Sequence, residues 1–377
     1  MNIDEILKTA PKPHIPDKFP INLKEILSDN EILTLLFTAN RKIGMYDGFL
    51  YNTPNPSLLI SPLITQEASL SSKLEGTHAT IEDILNYDAG AKVEIEEDEM
   101  KEVINYRRAL FFAIDKMGRF EDDEKGKLPL STRLIKEVHK ILLSNVRGSK
   151  KSPGEFKRNQ NYIGYKNSIE FTPLPPNMTD EYMNNLENYI HDDSIDPLLQ
   201  AALIHVQFEM IHPFQDGNGR IGRLLIPLFL YYRSVLLLPT FYMSKYFEKD
   251  RNLYLQNLSN VSKNNEYKSW IKYFLQGVIE QSEENTIKAK NLLDEYEKIK
   301  SISFKNINSQ YLPGIIDFMF QYPAFNINQL IDKVGMAKDT AYKITRQMIN
   351  LKILSSNEAS RNRIFYTNSI FKHLIND

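Results

Sequence analysis

A chain of 377 residues, 42% apolar and 25% charged with 15 Gly and 18 Pro, has the composition of a soluble globular protein and not of a disordered, collagenous or coiled-coil one. Its length accommodates two or three domains, and zero Cys excludes disulfide frameworks, Cys-ligated zinc or iron–sulfur centres and thiol nucleophiles. The formal charge of −2, from 46 basic and 48 acidic residues, excludes a uniformly cationic polyanion binder, so charge has to be followed segment by segment.

Residues 1–20 carry Lys8, Lys12 and Lys18 among prolines without an apolar h-region, which does not read as a signal peptide. From about Ser61 to Lys300 the apolar spacing is mostly helical. Within it, Ser71-Ser72-Lys73-Leu74-Glu75-Gly76 carries a helix stop at Gly76. A carboxylate such as Glu75 in a last helical turn is disfavoured by about 0.3–1 kcal/mol, so a cation is expected to compensate. The acidic run Glu94–Glu102 reads as a solvated loop or helix face. Tyr162–Pro176 interrupts the helical pattern with two short extended runs, Ile163-Gly164 and Ile169–Thr172, around the polar Lys166-Asn167-Ser168, and is closed by prolines: a hairpin in a helical domain.

Asp196-Pro197 supply an N-cap and a first-turn proline. Leu198, Leu199, Ala202, Leu203, Val206 and Met210 then put one helix face on a core, ending just before His212. Residues 212–223, His-Pro-Phe-Gln-Asp-Gly-Asn-Gly-Arg-Ile-Gly-Arg, follow directly. Gly217, Asn218 and Gly219 let the backbone approach an anion and present N–H groups at the positive end of the next helix. Arg220 and Arg223, three apart, offer two forks and favour a polyphosphate over a monophosphate. Asp216 is a hard oxygen ligand of the kind that holds Mg2+ together with substrate phosphates. His212, with a reference pKa of about 6.5, suits the acceptance of a proton from a hydroxyl; without Cys or a second His at i+4 there is no zinc pattern.

The apolar stretch Leu224–Pro239 is interrupted by Arg233 and falls short of the about 20 residues of a membrane span, so a cytoplasmic protein is expected. Tyr267–Lys300 reads as one long helix and Ser301–Gln310 as a linker. Beyond it, Asn328–Val334, a turn at Gly335, Lys338–Leu351, and strands at Ile353-Leu354 and Ile364–Tyr366 follow the order of a winged helix-turn-helix. Residues 328–373 hold eight basic against three acidic residues, a formal +5. That asymmetry fits DNA contact, while protein docking or dimerisation through the same unit stands as the alternative.

The string His212–Arg223 resembles the signature of the Fic family, His-Pro-Phe-x-Asp/Glu-Gly-Asn-Gly-Arg-x-x-Arg, at every position. The similarity extends from about Ser61 to Lys300 and includes Pro153–Phe156 followed by Lys157, where Arg is expected. It implies a mainly α protein, a Fic helical core with a small β-hairpin flap plus the C-terminal winged helix-turn-helix. The expected boundaries are 1–110 (N-terminal helical region), 111–300 (catalytic core), 301–310 (linker) and 311–377. The implied activity is transfer of AMP from ATP to a Ser, Thr or Tyr hydroxyl of a target protein or of the chain itself, with Mg2+. His212 would be the base and Asp216 the metal ligand. Gly217, Asn218, Gly219, Arg220, Ile221, Gly222 and Arg223 would cradle the phosphates. Tyr254 is placed either in an adenine pocket or in ordinary core. Ser168, Ile169, Glu170, Phe171 and Thr172 resemble the flap that aligns a target backbone.

Ser71, Glu75 and Gly76 match the family's inhibitory motif Ser/Thr-x-x-x-Glu-Gly/Asn, whose Glu would pair with Arg223 and take the γ-phosphate position. Removal of AMP from a modified target, transfer of another phosphate-containing group, and a DNA-binding regulator with a nucleotide-sensing domain are the alternatives. The partners expected are a hydroxyl-bearing protein, DNA through residues 311–377 and a second copy of the chain, without a membrane.

Overall fold

The computed structural model describes residues 9–53, 56–120, 126–146, 148–165, 168–357 and 363–375. Lys166 and Asn167 of the expected hairpin turn, and Glu358 and Arg361 of the C-terminal basic segment, lie outside the described residues. Helices dominate what is described, with two small antiparallel sheets among these residues. The chain divides into two compact units, residues 1–48 with 104–283, and residues 49–103 with 284–377.

The first unit is built around the central helix Pro197–Ile211. Asp196 caps it: Oδ1 accepts the N–H groups of Leu198 (2.9 Å) and Leu199 (3.3 Å), an arrangement that contributes about 1 kcal/mol. The sequence spacing predicts one buried face, but every residue from Leu198 to Ile211 except Glu209 is buried. Neighbouring helices Thr179–Ile190, Asn218–Tyr232 and Arg251–Asn264 enclose it, so its polar side chains find partners inside the protein. Gln200 Nε2 donates to Asp192 O (2.9 Å) and Gln207 Nε2 to Asp17 O (2.9 Å). Trp270 Nε1 in turn donates to Ala202 O at 2.8 Å.

The hairpin forms from strands Ile163–Tyr165 and Ser168–Phe171, pairing Ile163 with Phe171 and Tyr165 with Ser168 around an irregularity at Ile163/Gly164. A Cβ on Gly164 would stand 2.0 Å from Ser168 O, so only glycine fits this register. Thr172 lies beyond the strand, buried, and its carbonyl accepts His14 N–H at 2.9 Å.

In the second unit, helix Ser57–Leu74 ends at the C-cap Glu75, and Gly76 (φ 94°) turns the chain away. The next residues are tethered by carboxylates of the acidic run: Glu99 Oε2 accepts His78 N–H (2.8 Å) and Glu102 Oε2 accepts Thr77 Oγ1–H (3.3 Å). The expected solvated face is thereby corrected at Glu102, which is buried because its helix, Glu97–Lys116, also buries Met100 and Val103.

The long helix does not stop at Lys300, where the linker 301–310 is expected. It runs over Tyr267–Asn306, because Ile299, Ser303 and the following Ile307 keep a buried row at four-residue spacing. After it come helix Leu312–Gln321, strand Ala324–Asn326, helix Ile327–Val334, a turn opened by Gly335 (φ 72°), helix Lys338–Asn350, and strands Leu354–Ser356 and Ile364–Thr367. Strand Ile364–Thr367 lies between the other two, antiparallel to both. These elements pack on residues 57–89 of the same unit. Ser61 Oγ donates to Gln321 O (3.1 Å), Asn326 Nδ2 to Ala89 O (2.9 Å), Gln329 Nε2 to Asp88 O (2.6 Å) and Tyr366 OH to Asn86 Oδ1 (2.9 Å).

Candidate active site

The central helix delivers His212 as its C-cap in the left-handed region (φ 48°, ψ 60°), a conformation an imidazole-bearing residue holds only when its surroundings fix it. They do so from several directions. His212 N–H donates to Phe208 O (2.8 Å). Asn161 Nδ2 donates to His212 O (3.0 Å) and Phe214 O (2.8 Å). Lys157 Nζ donates to Ile211 O (3.0 Å) and to Asn161 Oδ1 (2.9 Å), while its N–H reaches Pro213 O (2.8 Å). Lys157 is buried, its Nζ held by the Asn161 and Ile211 oxygens, and burial pulls its pKa down to about 7.

Farther along the loop, the Asn218 carboxamide closes a ring with Phe214: Oδ1 accepts Phe214 N–H and Nδ2 donates to Phe214 O, both at 2.8 Å. His139 braces the next residue. Its Nε2 lies 2.9 Å from Asp216 O, a carbonyl that can only accept, and its Nδ1 accepts Gly154 N–H at 2.9 Å, which fixes the neutral tautomer. Burial pushes its pKa down to about 4, and its ring stacks on Phe214 at 3.7 Å. Neither Asn161 nor His139 stands out in the sequence, because each lies more than 50 residues upstream of the string it holds.

Gly217 (φ 75°) opens helix Asn218–Tyr232 without a side-chain cap, so the first-turn amides are presented at a positive helix end. Asp216 stands beside it, its side chain 36% exposed, with Oδ1 accepting Gly217 N–H (2.6 Å) and lying 3.6 Å from Arg220 Nη2. Arg220 and Arg223 are both buried at 3% exposure. Ile221 is buried, and Gly222 faces the central helix: Gly222 O accepts from His205 Nδ1 (3.0 Å), and a Cβ at Gly222 would stand 2.3 Å from Glu209 Oε1. At Gly222 the motif string is thus a helix-packing seam.

His212 Nδ1 lies 3.3 Å from the main-chain oxygen of Glu209 and 3.6 Å from its Oε2. A carbonyl cannot donate, so Nδ1 carries a hydrogen toward it, and in the neutral imidazole the lone pair then falls on Nε2. Glu209, which sequence reading passed over, is signalled only by being the one acidic residue of helix Pro197–Ile211.

Tyr254 belongs to the buried aromatic cluster. Its ring stacks on Phe247 at 4.4 Å and its hydroxyl is 3.0 Å from His205 Nε2, which makes it a core residue behind the motif helix. In the hairpin, Ser168 and Glu170 are exposed, Ile169 and Phe171 half-buried, with the Phe171 ring 5.7 Å from His14. Ser71 is buried, and Glu75 is exposed at its helix end; both belong to the second unit. Among the described residues no cluster of three or more His, Cys, Asp or Glu forms a self-sufficient metal cage, and no helix is long and apolar enough to cross a membrane.

Comparison with known proteins matches residues 129–230 to the Fic/DOC family model and residues 33–115 to the Fic/DOC family N-terminal model. Protein adenylyltransferase fic-1 of Caenorhabditis elegans is 33% identical over 135 residues, 35% of this chain and 24% of its own. Protein adenylyltransferase Fic of Drosophila virilis is 34% identical over 126 residues, 32% of this chain and 24% of its own. The match therefore spans about a quarter of these relatives' length. Among solved structures, a Fic family protein from Desulfovibrio desulfuricans G20 superimposes with a TM-score of 0.58 at 16% identity, covering 90% of this chain and 96% of that one. Fic-1 from C. elegans superimposes at 0.51 and 20% identity, covering 72% and 75%. At such identities the likeness concerns the fold.

Proposed function

The chain belongs to the Fic/DOC family, and on that premise we propose that it is a Mg2+-dependent protein adenylyltransferase acting on ATP in the cytoplasm. The observation that carries the reading is the contact of His212 Nδ1 with Glu209 O, 3.3 Å apart. With Nδ1–H directed at Glu209 O, Nε2 accepts the proton of a target Ser, Thr or Tyr hydroxyl. The hydroxyl oxygen forms a bond to the α-phosphorus, the bond from that phosphorus to the oxygen bridging the β-phosphorus breaks, and pyrophosphate leaves.

At the helix start opened by Gly217, the N–H groups of Asn218 and Gly219 receive phosphate oxygens, and Arg220 and Arg223 neutralise the β- and γ-phosphates. Asn218 acts in this reading through its amide and by holding Phe214. Asp216, a partly exposed carboxylate beside Gly217, is a hard oxygen ligand, and it fits Mg2+ drawing its remaining ligands from phosphates and water. When bound, the ion supplies charge neutralisation of the phosphates. The outer strand of the hairpin, Ser168–Phe171, pairs with an extended target segment.

Glu75 serves as the brake in this proposal, opposing Arg223 and displacing the γ-phosphate. Its support is the Ser71–Glu75–Gly76 string and a helix that ends on an exposed carboxylate where the helix dipole disfavours one. Purified protein incubated with ATP labelled at the α-phosphate tests both assignments. Glu75→Gly should raise incorporation on the order of tenfold or more, the effect of about 1.4 kcal/mol, and His212→Ala should reduce it to background. Label uptake that survives His212→Ala would remove the proposed base.

A further inference from the structure

We propose that the outer face of helix Lys338–Asn350 is a binding site for duplex DNA. The helix buries Ala341, Ile344, Thr345 and Met348 against its neighbours and turns Lys338, Tyr342, Lys343, Arg346 and Asn350 to solvent, with Asp339 the acid on that face. Tyr342 is 45% exposed. The helix follows helix Ile327–Val334 across the turn Gly335–Ala337, and a strand pair follows it, so the exposed helix is the second of a helix-turn-helix. Lys352 at its C-terminal end, held at φ 59°, and Lys333 before the turn are exposed as well.

The chemistry of this face selects among partners. A protein interface concentrates apolar and aromatic side chains at its centre and is depleted in Lys; here one tyrosine sits among three cations. Those cations meet phosphates, while an Arg, an Asn and an Asp on one helix are the side chains that read guanine, adenine and cytosine edges. A convex helix of 13 residues enters the major groove of B-form DNA, about 12 Å wide, and not the deep narrow groove of duplex RNA. The site is separate from the nucleotide chemistry and stands or falls independently of it.

The test uses the full chain without ATP. Repeated selection from a pool of duplexes with randomised cores should enrich a sequence, and fluorescence anisotropy should find it bound at least about 100-fold tighter than its scrambled version. The logarithm of affinity should fall linearly with the logarithm of salt concentration. Lys343→Glu with Arg346→Glu should lower affinity more than tenfold, and Lys305→Glu, exposed on the long helix of the same unit, should not. If the double variant melts below the wild type, Arg346→Gln replaces it, with relaxed sequence preference as the expected result. Failure to enrich any duplex, equal binding by the variants, or tighter binding to single-stranded RNA than to duplex overturns the proposal.

Discussion

Lys157 occupies a place where an ammonium is poorly solvated yet well used: beneath the His212 loop, donating to Ile211 O and Asn161 Oδ1. Its pKa, pulled to about 7 from the ordinary 10.5 by burial, couples loop stability to pH. Between those values the unfolded chain holds a proton that the folded chain has released, so Lys157 makes stability rise with pH across that window, and below pH 7 its burial penalty is fully present. Wild type and Lys157→Met should therefore diverge as pH is raised from 7 to 9.5, the wild type gaining a few degrees of melting temperature relative to the variant, at about 2–4 °C per kcal/mol. Parallel melting curves across that range would show that the lysine keeps its proton. Arg at this position could not titrate there at all, so the departure from the family string has a physical effect.

At the scale of single elements, the hairpin makes the sharpest demand on one residue. Gly164→Ala places a methyl group against Ser168 O, a backbone atom that cannot swing aside, and should dislodge the strand register with a loss of about 1–3 kcal/mol. Hydrogen exchange should then find the Ile169 amide losing protection, with the central helix unchanged. The central helix and the string 212–223 were legible in the sequence because an N-cap, an apolar run and a cluster of phosphate-seeking groups are all local. What holds them was not legible. Asn161, His139 and Glu209 act through hydrogen bonds and contacts to residues far along the chain or to backbone and imidazole, and such bonds leave no periodicity. The reading of residues 217–223 as a phosphate cradle also gave no sign that Gly222 packs against the central helix. Strand Ala324–Asn326 escaped notice because three residues carry no alternation, and the end of the long helix did because within Ser301–Asn306 the buried row carries a serine, Ser303, while Phe304 is exposed.

Across the whole molecule, the grouping of residues 49–103 with 284–377 argues against treating the C-terminal elements as a removable appendage. A chain ending at Gln310 would leave Ala89 O, Asp88 O and Asn86 Oδ1 without the partners that Asn326, Gln329 and Tyr366 now provide, and would expose the face that helix Leu312–Gln321 covers. Calorimetry of that truncation should show a lowered and broadened transition. A wild-type melting profile would mean that the packing of these elements contributes nothing to stability.

Helix Ser57–Leu74 is gripped near its beginning through Ser61 and finishes at Glu75. Eighteen residues make a strut of roughly 27 Å, so a push received beside Gln321 arrives at the carboxylate without passing through flexible chain. Cargo seated on the C-terminal elements would have a mechanical route to the helix end at Glu75, and by reciprocity any ligand that engages this carboxylate would change how tightly that cargo is held.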